Sequence, residues 1–495
     1  MKKEIAESVL SLQPNIKSPT IPPILILISV LPGSFLSHFS AGLVNVALPD
    51  LSIVFQVSLS LSQWVVTGYL LAVMLFLPIM GKVADIIGKK KIHYAGYVVF
   101  GVGVILSAIS PTLYFLLVAR VLQGIGAAML QAVNMSIITD NYPKEKRGKA
   151  LGLIGASVGV GGLLGPPAGG ILIHWFSWDV LFWIQIPLVF LAFVLSIYFV
   201  PNDVGTKKKS FDVVGASLFG IGIISIVYVL NQIGEGVTDS TYLLISVIGI
   251  ISLILFSFWV KKFPEPFINI TIFSQPFIRT GLIIIVFSFM ATFSTMVVIP
   301  FYLRGVLELS STLTGVLLMS YPLLLALIGP ISGALSDKIG SFKVVIIGMV
   351  LMTISLIGLG TLSTTSSLFT VSVFLCLLGV SMGILTSPNY NLVMSHLPLS
   401  ETGSMGGNIA LFRNLGMTLG TALGVTFMNF FANGSITKWM TSMNKENIDL
   451  VMIGFHSLFL LLACFISLMM ARLIWIAYNY QEASIASEDS KSVEN

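Results

Sequence analysis

The sequence predicts an all-α integral membrane protein of about fourteen transmembrane helices, arranged as two six-helix bundles with two accessory helices between them. Three observations carry this. Of 495 residues, 56% are hydrophobic and 9% are charged, whereas a soluble domain carries about 25% charge. The apolar residues are gathered into runs near the roughly 20 residues that a helix needs to cross a bilayer core. One polar interruption also occurs twice, as Gly81-Lys-Val-Ala-Asp85-Ile-Ile-Gly88-Lys-Lys-Lys91 and as Gly333-Ala-Leu-Ser-Asp337-Lys-Ile-Gly340-Ser-Phe-Lys343. Glycine, acid, glycine and lysine keep the same places in both copies. Val-Ala-Leu-Pro49 precedes the first and Val-Val-Ile-Pro300 the second at nearly equal spacing. A turn duplicated after an apolar hairpin signals a duplicated membrane unit.

Taken in order, the chain opens with a polar segment, residues 1–22. It contains Pro14, Pro19 and Pro22 and no small-residue cleavage site after an apolar run, so it reads as a cytoplasmic tail and not a signal peptide. Spans are then expected near 23–47, 62–83, 92–110, 112–138, 149–173 and 179–200, the first bundle lying within 23–200. The basic run Lys207-Lys208-Lys209 and Pro264-Glu-Pro266 bracket the accessory spans 212–232 and 241–260, in a linker over 201–276. The second bundle, 277–479, holds spans 277–302, 311–335, 343–362, 367–395, 404–431 and 448–478, followed by a cytoplasmic tail, 480–495. Two accessory spans are required because the turn follows span two in its first copy and span ten in its second, an offset of eight where two six-span halves alone would give six. Long runs without strict alternation exclude a β-barrel.

Charge sets the orientation. With the N-terminus in the cytoplasm, only Arg304, Lys438 and Lys445 fall in outside segments, and Arg120 and Arg413 fall within spans; every other lysine and arginine faces inward. Both termini are therefore expected on the cytoplasmic side of the cell membrane. A net charge of +5 spread over short loops is a topology signal and gives no nucleic-acid patch. Cys376 and Cys464 are the only cysteines and lie in apolar spans. No metal-ligand cluster, phosphate-binding loop or nucleophile elbow occurs, so neither an enzyme nor a metal or other cofactor is expected.

Four motifs carry a family likeness. Besides the duplicated turn they are Arg120-Val-Leu-Gln123-Gly124-Ile-Gly126 in span four, Gly155-Ala-Ser-Val-Gly159 through Gly165-Pro166-Pro-Ala-Gly169-Gly170 in span five, and Val44-Asn45-Val-Ala-Leu-Pro49 ending span one. In this order the pattern resembles the major facilitator superfamily, specifically its fourteen-span drug:proton antiporter branch. The resemblance implies a secondary active transporter, acting as a monomer in the bilayer, that couples efflux of small lipophilic or drug-like compounds to proton entry. Gly81, Asp85, Gly88 and Lys91 in one copy, and Gly333, Asp337, Gly340 and Lys343 in the other, would form gating loops at the inner face. Gly155, Gly159, Gly165, Pro166, Gly169 and Gly170 would make span five a helix that contacts the opposite half and favours exchange over leak.

The pathway candidates are Arg120, Gln123, His38, Asn45, Arg413, Asn389 and Asn391. A guanidinium about 12 Å into a span needs a polar setting, and histidine changes charge near neutral pH. Two departures stand out. The branch usually has an arginine just after the loop acid, where this chain has Ile86. It also usually has an aspartate five residues before the span-one asparagine, where this chain has Ser40. No aspartate or glutamate lies deep in any span, which disfavours simple organic cations. That leaves a second expectation, an exporter or flippase of a specific endogenous amphiphile or anionic metabolite; a non-transporting membrane sensor is disfavoured by the gate motifs.

Overall fold

The computed structural model describes residues 21–57, 59–142, 144–203, 212–233, 240–263, 266, 274–397, 402–431 and 445–493. Lys207-Lys208-Lys209 and the side chain of Asp337 lie outside what is described. Among the described residues there is no strand. The helices are α1 Pro23–Val54, α2 Leu59–Ile87, α3 Lys89–Ala108, α4 Leu113–Asn141 and α5 Lys144–Trp175. A broken α6 follows in two pieces, Val180–Trp183 and Ile186–Phe199, then α7 Val213–Ile233, α8 Ser240–Lys262, α9 Pro276–Phe301 and α10 Ser311–Ile339. The last four are α11 Ser341–Leu359, α12 Leu368–Ser395, α13 Thr402–Phe431 and α14 Lys445–Val493. Every expected span coincides with one of them. Among the described residues thirteen segments are long and apolar enough to cross a membrane, and α13, 30 residues long, occupies the remaining expected span.

Local signals start and bend these helices. Thr112, Ser310 and Ser367 accept hydrogen bonds from the backbone N–H groups of Phe115, Leu313 and Thr370, capping α4, α10 and α12. Prolines stand inside α2, α5, α9, α10 and α12, where packed neighbours tolerate the lost ladder bonds. After Pro300, α9 widens into a π-helical turn, Tyr302–Val306.

The duplicated turn differs from expectation. Gly81 and Gly333 lie inside α2 and α10; each turn is made by one glycine, Gly88 at φ +106° and Gly340 at φ +89°, where a Cβ would be strained. The expected gating loop is mostly helix because the apolar face of α2 continues to Ile87. The Asp203 carboxylate at the end of α6 accepts the Lys89 and Lys90 backbone N–H groups, capping α3, and the Lys89 ammonium pairs with Asp140 at the end of α4. Asp203→Ala should lower stability by about 1 kcal/mol, read as a lower midpoint of thermal unfolding in detergent.

The packing repeats at an offset of eight helices. α1 packs on α5, α2 and α3 on α4, and α3 on α6; likewise α9 packs on α13, α10 and α11 on α12, and α11 on α14. Across the two sets, α5 meets α10, and α2 and α4 meet α13, while α7 and α8 pair and α7 leans on α13. Glycines set the closest crossings. Cβ atoms at Gly161, Gly165 and Gly169 would lie 2.5 Å from the Phe35 carbonyl oxygen, 2.8 Å from Gly42 Cα and 2.6 Å from the Leu43 carbonyl oxygen. Gly416, Gly420 and Gly424 repeat the stripe in α13 against α9, at 2.4 Å from Val286 O, 2.4 Å from Met290 O and 3.2 Å from Val298. Most of the span-five stripe thus faces α1 in its own half rather than the opposite half. Gly159, near Ala326 of α10, is the member turned across.

Candidate transport cavity and its buried arginines

A cavity of ≈ 180 Å³ lies between the two helix sets, bounded by α1, α2, α5, α9, α10 and α13. Its α1 residues, His38 to Leu48, come from the second half of that helix; those of α9, Phe289 to Arg304, also come late, and those of α10, Thr314 to Leu325, come early. Phe289, Phe293, Phe301, Met296 and Met417 make the wall chiefly apolar. Asn45, Gln63 and Thr314 interrupt it. Among the described residues Asn45 Oδ1, Gln63 Oε1 and Thr314 Oγ1 have no hydrogen-bond partner. Buried polar atoms left this way are costly and rare, and a ligand with hydrogen-bond donors would satisfy the two amide oxygens. Gln63 Nε2 also reaches the Thr421 carbonyl at 3.4 Å, joining α2 to α13.

Of the predicted pathway residues, His38 and Asn45 line the cavity, as do Gly159 and Pro166 of α5. His38 Nδ1 lies 3.0 Å from Ser34 O and 2.9 Å from Ser37 Oγ, bonds that fix the ring on α1.

Arg120 and Gln123 do not line it. They form a closed network behind α1. The Arg120 guanidinium donates to Val65 O through Nε at 3.0 Å, and through Nη1 to Ser40 Oγ at 3.0 Å and Gln123 Oε1 at 2.6 Å. Gln123 Nε2 donates onward to Ser40 Oγ and Gln185 Oε1. The charge lies over the Tyr69 ring, 4.3 Å from its centroid, a favourable placement for a desolvated cation. Arg120 is 0% exposed because Gly103 lets α3 close onto Gln123 and Gly126 lets α4 close onto Phe100. Ser40, where the resemblance leads one to expect an acid, is therefore a direct partner of Arg120.

Arg413 lies nearer the cavity, on α13. Its Nη2 donates to Gln131 Oε1 at 2.9 Å, an atom that also accepts from Asn414 at 3.3 Å, so α4 and α13 are tied across the two sets. Tyr390 of α12 contacts the same guanidinium. Asn389 instead donates to the Gly281 carbonyl at 2.9 Å and Asn391 approaches Ser336 Oγ at 3.5 Å; both secure helix contacts away from the cavity. His456 accepts this kind of role too, 2.7 Å from Leu362 O. His93, at the start of the span expected over 92–110 and not among the predicted pathway residues, is fully buried and 2.6 Å from Ser196 Oγ.

At the cavity mouth Arg304 lies in the π-helical turn, not on a regular helix end. Glu308 is exposed at φ +54°, and Arg304 acts electrostatically on Asp50, at the end of α1. Burial pushes the Asp50 carboxyl above its ordinary value while Arg304 opposes the shift. A raised folded-state value means the fold holds the proton more tightly than the unfolded chain, so stability is greatest below the ordinary carboxylate range and declines as pH rises through the raised value. Asp50→Asn should flatten that decline, measured as the unfolding midpoint between about pH 4 and pH 7.

A family model described as Major Facilitator Superfamily matches residues 30–421. The chain belongs to that superfamily. It is 33% identical to the riboflavin transporter RibZ of Clostridioides difficile over 82% of this chain and 88% of that protein. It is 29% identical to the lincomycin resistance protein LmrB of Listeria monocytogenes over 83% of this chain and 87% of that one. The human organic anion transporter MFSD10 shares the fold, with a TM-score of 0.60 at 16% identity over 90% of this chain and 99% of that structure. This superfamily member is thus a multi-pass membrane transporter of small molecules, in line with the drug:proton antiporter branch that its motifs resemble.

Proposed function

We propose that this transporter exports small, mostly lipophilic compounds across the cytoplasmic membrane in exchange for protons. The supporting observation is the cavity between the two helix sets, walled by Phe289, Phe293, Met296 and Met417 and interrupted by Asn45, Gln63 and Thr314. Aromatic and thioether walls adapt to varied apolar bodies. In this reading residues 23–200 and 277–479 are two bundles that rock about the cavity, joined by 201–276, with both termini in the cytoplasm. The described cavity belongs to an outward-facing form, because its lining lies in the outer halves of α1, α9 and α10 under that orientation. Asp85 and Asp337 act at the inner latch, and His38 carries the proton because its imidazole lines the cavity. Likeness to a lincomycin resistance protein supports the export direction.

A second reading, export of one endogenous amphiphile, is favoured by Ser40 in place of an acid and by likeness to a riboflavin transporter. Everted vesicles containing the protein separate the two. Collapse of an imposed proton gradient by several unrelated lipophilic compounds is expected from the first reading. Collapse by a single compound class supports the second, and no compound-dependent flux refutes proton-coupled exchange. His38→Gln should remove the coupled flux while leaving compound binding within about threefold.

A further inference from the structure

The membrane-embedded charges are all of one sign. No aspartate or glutamate stands within the apolar segment of any helix except in its first or last turn. Among the described residues three arginines stand more than one turn inside, Arg120 in α4, Arg413 in α13 and Arg472 in α14, whose Nε donates to Thr280 Oγ1 at 3.3 Å. An arginine buried in a bilayer is costly unless paired or hydrated. Arg120 is sealed among oxygens and the Tyr69 ring. Arg413 is less well served: it is 5% exposed, its Nε has no hydrogen-bond partner among the described residues, and its guanidinium neighbours are Gln131 and Tyr390, neither of them a carboxylate.

Arg413 is also beside the cavity. Met417, one helical turn on, lines it, as does His38, which lies within reach of the Arg413 charge. Phe289, which packs against Gly416, sets the aromatic wall at the same level of α13. At the mouth, Arg304 is offset by Asp50, and Glu308 is exposed. The side of the cavity next to Arg413 therefore borders a positive group with no carboxylate among its described neighbours, and the mouth is mixed.

We propose that this cavity binds an amphipathic organic anion, with its carboxylate or sulfonate facing Arg413 and its aromatic body against Phe289 and Phe293. The inference rests on the reading of the cavity as the substrate site and adds the charge class. The ligand supplies the missing counter-charge, and a charge-assisted bond to guanidinium is about twice as strong as a neutral one. A cation of the same shape meets repulsion and no acid.

Binding to the purified full chain in detergent tests this, with three isosteric probes: naphthalene-2-carboxylate, its primary amide and 2-naphthyltrimethylammonium. Calorimetry at pH 8, where free histidine is neutral, should show the carboxylate binding about tenfold or more tighter than the ammonium probe. Arg413→Gln should bring the carboxylate to the level of the amide without changing the amide, Arg413→Lys should keep the preference, and Arg304→Gln should leave it intact. Should Arg413→Gln not fold, the wild-type series and Arg413→Lys still decide. Equal binding of all three, preference for the ammonium, no binding, or loss of the preference in Arg304→Gln overturns the proposal. No gradient is used, so anion binding without proton-coupled flux would refute the exchange reading and leave this one standing.

Discussion

Arg120→Ala should abolish compound-dependent proton flux, and Ser40→Asp should be tolerated beside Arg120 yet strongly destabilising without it. The geometry behind this is direct. Arg120 Nη1 donates to Ser40 Oγ at 3.0 Å, and the same group holds Val65 O and Gln123. Truncation leaves Val65 O, Ser40 and Gln123 short of a donor in a site that water does not reach, and α1 loses the anchor that holds the cavity face of His38. An aspartate at position 40 would meet a guanidinium that has Nη2 free of partners among the described residues. Without Arg120, that aspartate is a lone buried charge, a situation costing about 3–5 kcal/mol. Thermal unfolding of wild type, the two single variants and the double variant forms a complete cycle. Strong non-additivity is expected; additive effects would show that Arg120 and position 40 do not interact.

Gly165→Ala and Gly420→Ala should each sharply reduce the yield of monodisperse protein, whereas Gly162→Ala and Gly407→Ala should not. Cβ atoms at the first pair would stand 2.8 Å from Gly42 Cα and 2.4 Å from Met290 O, both backbone atoms that cannot rotate away. At the second pair nothing lies within 4 Å. Overpacking costs about 1–3 kcal/mol even where side chains can yield, and here whole helices must part. Fluorescence-detected size exclusion gives the comparison, and equal yields from all four would mean that close backbone approach does not hold α1 to α5 or α9 to α13.

The stripe at Gly161, Gly165 and Gly169 was visible as a glycine-rich run, but a spacing of four only says that one face is smooth; it does not say which helix lies against it. The matching stripe at Gly416, Gly420 and Gly424 is masked in the sequence because its glycines are diluted by larger residues. Arg120 and Gln123 share a face of α4, and linear spacing could not tell whether that face meets the cavity or α1. Asn389 and Asn391 are equally eligible for the pathway by sequence, and only the fold sets Gly281 and Ser336 opposite them.

Membrane insertion, the number and order of helices and the twofold duplication follow from the chain's own letters, because hydrocarbon thickness and backbone hydrogen bonding leave an apolar run of that length a single stable form. The partner of each helix face, the different surroundings of Arg120 and Arg413, and the gathering of His38, Gln63 and Thr314 around one cavity arise only on folding. They depend on contacts between residues tens to hundreds of positions apart, and along a uniformly apolar helix no local pattern distinguishes the face that meets lipid from the face that meets protein.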